Sequence, residues 1–173
     1  GAALAHKDKL KAKGPHIITS TIDHPAVLEP CRNLEENGYK VAYLPVDHDG
    51  LIDLDTLEHT ITKDTFLISI MTANNEIGTI EPIQEIGKIA HDHNILFHTD
   101  AVQGVGKLPI DVKKQHIDLL SLSAHKFHGP QGVGALFVRA GVELAPLIHG
   151  GGQERGLRSA TENVAGIAGL GRA

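Results

Sequence analysis

The sequence predicts an α/β domain, a three-layer sandwich built on a mainly parallel sheet. Two observations carry that expectation. Short apolar segments alternate with helix-length amphipathic ones along the whole 173-residue chain, the order that builds a layered α/β domain. Most of the apolar segments are unbroken runs rather than alternating ones, as strands are when helices cover both sheet faces. A chain of this length suits one domain and can bury roughly 70% of its unfolded surface.

The elements follow in order. A strand at residues 16–20 leads to a helix over 25–37, which opens with Pro25 in its first turn and stops at Asn37-Gly38, the expected start and stop chemistry. A second strand at 41–46 precedes a short helix over 54–61. A third strand at 66–71 precedes a helix over 82–92 that carries Ile83, Ile86, Ile89 and Ala90 on one face, a buried stripe. The remaining strands fall at 95–99, 119–123 and 134–138. The Ala/Gly-rich tail from 161 to 173 suggests one more helix through Val164, Ile167, Ala168 and Leu170. Gly150-Gly151-Gly152 reads as a flexible loop.

Composition narrows the function. A net charge of −5 without a basic stripe argues against nucleic-acid binding, and a chain without Trp offers no stacking platform for bases. No apolar run approaches the ~20 residues that span a bilayer, and no signal-peptide pattern opens the chain. The single Cys31 excludes an internal disulfide framework and fits a reducing compartment. A cytoplasmic protein with no nucleic-acid or membrane partner is expected. The first residue is Gly rather than Met, which suggests a processed or excised piece.

Lys126 stands out. It follows the apolar run 117–122 and precedes a Gly/Pro loop, where a lysine charge is costly to bury. A desolvated lysine there becomes an amine nucleophile able to form a Schiff base. In open α/β sheets, ligands bind beyond the carboxyl ends of strands. Three such ends carry polar groups: Asp100 with Gln103, the trio Ser123, His125 and Lys126, and the turn Asn74-Asn75-Glu76. A single right-handed β-α-β crossover is expected between Asp100 and Lys126. On neighbouring strands, ~4.8 Å apart, one small ring touches both residues.

Pyridoxal 5'-phosphate suits that set. Its aldehyde carbon needs a lysine amine, and its pyridine nitrogen needs a carboxylate that keeps it protonated, which Asp100 supplies through a charge-assisted hydrogen bond. Gln103 can donate to the ring oxygen, Ser123 and His125 can bind phosphate, and His24 can lie on the ring and move protons. Each residue also has a bland reading: Asp100 as an N-cap, Ser123 as a backbone-bonding turn residue, His24 as a loop histidine bonded to backbone.

The segments Asp23-His24-Pro25-Ala26-Val27-Leu28, Asn74-Asn75-Glu76-Ile77-Gly78, His98-Thr99-Asp100-Ala101-Val102-Gln103, Ser123-Ala124-His125-Lys126 and the run from Gly150 to Asn163 resemble the cysteine desulfurases. These belong to the class V aminotransferase group of fold-type-I pyridoxal phosphate enzymes. The resemblance implies a homodimer in which Lys126 carries the cofactor, Asp100 pairs with its nitrogen, and Gln103 holds the ring oxygen. It makes His24 the stacking residue, Asn75 a further cofactor contact, and Ser123 and His125 the phosphate ligands. Thr161 would reach the phosphate of the other subunit. No metal is implied. The substrate would be L-cysteine, and the products L-alanine and an enzyme persulfide, whose sulfur passes to an acceptor or scaffold protein for iron–sulfur cluster assembly and tRNA thiolation.

Family members are longer, so residues 1–173 are expected to be an incomplete large domain. The N-terminal part and the C-terminal small domain, with the nucleophilic cysteine, are expected to be absent. Cys31 is not that nucleophile, and turnover by these residues alone is not expected. Selenocysteine lyase, or another class V aminotransferase-like enzyme, shares the motif set, and a folded non-catalytic piece is a reading of another class. A metal module is prompted by His91-Asp92-His93, which lacks the i,i+4 spacing of a helical zinc pair. A nucleotide-binding module is weakened because neither glycine cluster forms G-x-G-x-x-G after a first strand.

Overall fold

Ile17 and Ile18 show how the layers arise, because successive strand residues point to opposite faces. Ile18 joins a core with Leu57, Ile68, Ile83, Ile86, Ala90 and Phe97. Ile17 joins a second core with Ala3, Cys31, Tyr39 and Phe66. The computed structural model describes residues 1–6 and 14–173. Its strands are β1 (His16–Ser20), β2 (Lys40–Leu44), β3 (Thr65–Ser69), β4 (Leu96–Asp100), β5 (Leu119–Ser123) and β6 (Gly134–Val138). The helices are α1 (Ala2–His6), α2 (Pro25–Glu36), α3 (Leu54–Thr60), α4 (Ile83–Asp92) and α5 (Val164–Arg172). Helices α3 and α4 cover one sheet face, and α1 and α2 contribute to the core on the other. The expected three-layer arrangement is present.

The six strands form one sheet in the order β2-β1-β3-β4-β5-β6. All neighbouring pairs from β2 to β5 are parallel, and β6 runs antiparallel to β5. Strand β2 ends at Leu44, since Pro45 has no N–H for the ladder. Val46 pairs instead with Ile52 in an isolated antiparallel bridge. Past the end of β3, Ile70 N still donates to His98 O (3.2 Å) and Thr72 N to Asp100 O (2.9 Å). The chain after β3 therefore flanks β4 as far as Asp100.

The connection from β4 to β5 differs from the expected β-α-β crossover. It contains no α-helix among the described residues and is built of turns closed by bonds such as Gly104 N to Ala101 O (2.9 Å) and Ile117 N to Val112 O (2.9 Å). The cause is local. Gly106 adopts φ +76°, a left-handed value that ends a helical turn, and Pro109 follows. Gly104 is needed for packing: a Cβ there would lie 2.8 Å from Thr72 Cγ2. Among the described residues, no helix is long and apolar enough to cross a membrane.

Candidate active site

Because β1, β3, β4 and β5 are adjacent and parallel, their carboxyl ends share one sheet edge. That edge gathers, in spatial order, the continuations of four strands. After β1 come Asp23 and His24, and after β3 come Asn74 and Asn75. Strand β4 ends in Asp100, with Gln103 beyond, and β5 ends in Ser123, with His125 and Lys126 beyond. Asp100 pairs in register with Ser121, so Ser123 stands on the same face one row further out. A 3-10 turn, Ala124–Phe127, then carries His125 and Lys126, and closes on His128 at φ 71°.

Asp100 is 8% exposed. Its Oδ1 accepts from Val102 N (2.9 Å), which realises the bland turn-forming role with one oxygen and leaves Oδ2 without a partner among the described residues. Ser123 Oγ lies 2.9 Å from His125 Nδ1, so the two proposed phosphate ligands already hold each other. His24 caps α2, with Nδ1 accepting from Ala26 N (3.1 Å). The capping and ligand readings of His24 are compatible, since the cap uses one ring nitrogen only. Gln103 Oε1 accepts from Lys107 Nζ (3.1 Å). Its amide nitrogen remains a donor. Asn75 is exposed. Its neighbour Asn74 holds the turn, with Oδ1 accepting from Glu76 N (2.8 Å) and Ile77 N (3.0 Å), and Nδ2 donating to Ile22 O (2.9 Å).

Two residues depart from expectation or stand apart. Lys126 is exposed and makes no hydrogen bond to the described residues. Desolvation by its own strand does not account for it, because the 3-10 turn lifts it off the strand end. Thr161 lies on the exposed stretch ahead of α5, and no hydrogen bond ties it to the strand-end residues. His91 and His93 also diverge: His91 stacks on His116 with ring centroids 4.5 Å apart, while His93 Nε2 lies 3.5 Å from Glu58 Oε1.

The sequence reading missed the buried groups beneath this edge. Asp23, 3% exposed, accepts at Oδ2 from Thr19 Oγ1 (3.1 Å), Ser20 N (3.1 Å) and Ser20 Oγ (2.7 Å), so it shapes the bend that delivers His24. Glu81, also 3% exposed, accepts from Ile52 N (3.2 Å) and ties the loop after β2 to the segment after β3. Asp23 Oδ1 and Glu81 Oε1 are buried without hydrogen-bond partners among the described residues. Burial pushes Asp23 up to about 6 and Glu81 up to about 7. The one legible signal was Asp23 itself, a carboxylate beside Thr and Ser at a strand end.

Asp23 should leave a mark on stability. At pH below the unfolded value of 3.8, both states are protonated and the shift contributes nothing. As pH rises toward 6, the unfolded carboxyl loses its proton first, so the folded state is penalised, by up to ~3 kcal/mol. Asp23→Asn removes that penalty. The difference in Tm, variant minus wild type, is expected to rise between pH ~4 and ~7. A difference that stays constant across this range contradicts the assignment.

Comparisons with known proteins cover almost the whole chain. The family described as Aminotransferase class-V matches residues 2–173. "Cysteine desulfurase IscS" of Dictyoglomus turgidum is 61% identical over 164 residues, 95% of this chain and 42% of that protein. The protein of the same name from Methanosarcina thermophila is 60% identical over 173 residues, 100% of this chain and 42% of its own length. Among solved structures, "SspA in complex with cysteine" superposes with a TM-score of 0.92 at 50% identity, covering 99% of this chain and 49% of that one. The chain thus spans about 42% of the length of the curated relatives it matches.

Proposed function

The chain belongs to the class-V aminotransferase family, and from that premise we propose that the full-length protein is a pyridoxal phosphate-dependent cysteine desulfurase. In this reading, residues 1–173 form part of its cofactor-binding large domain. The observation that carries it is the convergence of an amine, a carboxylate and a hydroxyl–imidazole pair on two neighbouring strand ends, β4 and β5. The relatives' names agree with it.

The donor set fits the cofactor. Asp100 would hold the ring nitrogen through its unpartnered Oδ2, Gln103 would donate to the ring oxygen through its amide, and Asn75 would add a further contact. Ser123 and His125 take the phosphate, with the bond between them orienting both. Thr161 serves the phosphate of the second subunit of a homodimer. When bound, pyridoxal phosphate supplies an electron sink for the bonds at the substrate α-carbon. Lys126 is the attachment amine and a proton carrier. His24 would cover the ring, and because its Nδ1 accepts from Ala26 N, its neutral imidazole carries the proton on Nε2, where it could be transferred.

The sulfur step breaks the C–S bond of L-cysteine and forms an S–S bond on an enzyme thiolate. L-Alanine leaves, and no external oxidant is needed. Cys31 does not fill that role: it is buried, and burial pushes its thiol up to about 11, so it stays protonated and unreactive. The nucleophile is assigned to the part of the protein outside this segment. The persulfide sulfur passes to an acceptor or scaffold protein for iron–sulfur cluster assembly and thiolation, in the cytoplasm.

The test is turnover by the full-length protein carrying this segment. L-Alanine and protein persulfide are expected in equal amounts in a single turnover with L-cysteine. Absence of alanine at saturating pyridoxal phosphate overturns the reading, and turnover of selenocysteine alone reassigns the protein as a selenocysteine lyase.

A further inference from the structure

Ser69, His98 and Ser121 form a polar row across β3, β4 and β5. His98 Nδ1 lies 2.8 Å from Ser69 Oγ, and Nε2 lies 2.9 Å from Ser121 Oγ. Ser69 is the register partner of His98, and Ser121 is the register partner of Asp100. His98 and Asp100 are two residues apart on one strand, as are Ser121 and Ser123, so on this face His98 lies one row behind Asp100, while Ser121 stands level with Asp100 and one row behind Ser123.

The imidazole thus bridges hydroxyls on both neighbouring strands. Adjacent strands are normally joined by backbone bonds and apolar contacts, and a histidine gains nothing from burial unless both nitrogens are satisfied. Here both are. The ring is part-buried, and desolvation pulls it down to about 4 against the opposing pull of Asp100, which favours the neutral imidazole. A neutral imidazole carries one N–H and one acceptor nitrogen, so its bridge holds without placing a second charge behind Asp100.

We propose that His98 is a positioning residue: from one row behind Asp100 it ties Ser69 of β3 to Ser121 of β5, which stands beside Asp100, and so fixes Asp100 laterally against the strand end that carries Ser123, His125 and Lys126. It touches no reacting atom. The proposal rests on the cofactor reading above, because what it positions is Asp100 toward the pyridine nitrogen.

The experiment uses the full-length protein and pyridoxal phosphate as the probe, with three readouts: cofactor affinity, the pH midpoint of the bound cofactor's visible absorbance, and the Tm of the apoprotein. His98→Phe removes both bonds and is expected to weaken affinity ~10-fold, the worth of one or two hydrogen bonds, and to displace the pH midpoint by ~0.5 or more. His98→Gln keeps an amide within reach of Ser121 and is expected to stay within ~3-fold of wild type in affinity. A variant with lowered Tm but wild-type affinity and midpoint shows a purely structural residue and overturns the proposal. Should His98→Phe fail to fold, Ser121→Ala carries the test: about 3-fold weaker binding with a displaced midpoint supports the proposal, and wild-type values in both overturn it. The cofactor reading fails separately, by absence of binding in the wild type or by undiminished covalent linkage in Lys126→Ala, and this proposal then falls with it.

Discussion

Lys126→Ala in the full-length protein is expected to abolish the borohydride-reducible link to pyridoxal phosphate and to lower turnover by ~10³-fold or more. The structure makes this a clean test. Lys126 is exposed, sits on a 3-10 turn and holds no hydrogen bond to the described residues, so its truncation should leave stability within ~0.5 kcal/mol of wild type. Lost activity with an unchanged Tm of the apoprotein then reports chemistry rather than unfolding. Mass spectrometry of the reduced protein locates the adduct. An undiminished adduct in the variant, or one on another lysine, sinks the assignment of Lys126.

Asp100→Asn is expected to give the second-largest effect. The amide oxygen can keep the bond from Val102 N that Oδ1 accepts, and Asp100 takes part in the strand ladder through its backbone, not its side chain. What is lost is the negative charge opposite the ring nitrogen. A hydrogen bond to a charged group is worth ~1.5–3 kcal/mol, which corresponds to about 10- to 150-fold in rate. The loss should appear in kcat, because the charge matters most when electrons move into the ring, while the KM for cysteine stays nearly unchanged. A variant that loses only KM, with kcat intact, would show Asp100 to be a substrate contact instead.

Three strands, β1, β5 and β6, begin and end where the sequence places them. The others slip by one or two residues for reasons that sequence patterns express poorly. Strand β2 stops at Pro45. Regular pairing in β3 ends at Ser69, although Ile70 and Thr72 go on bonding to the backbone of β4. The helix expected between β4 and β5 is absent, since Gly104, Gly106 and Pro109 outweigh the surrounding helix formers. Helix α5 is present, opened by Asn163 Oδ1 accepting from Gly166 N (3.1 Å).

The sequence by itself determined the residue types of the site and the strand ends they follow, because apolar periodicity and turn chemistry are local properties. It also determined that Cys31 belongs to a helix. Only the tertiary structure decided that β1, β3, β4 and β5 stand side by side, which brings His24, Asn75, Asp100 and Lys126 to one edge. Strand order depends on contacts between residues far apart in the chain, and no local pattern encodes it. The same holds for burial. Lys126 looked desolvated from its neighbours in sequence and is exposed, while Asp23 and Glu81 looked ordinary and are enclosed. Whether a charge is desolvated depends on what packs against it from other strands, and that is settled when the sheet assembles.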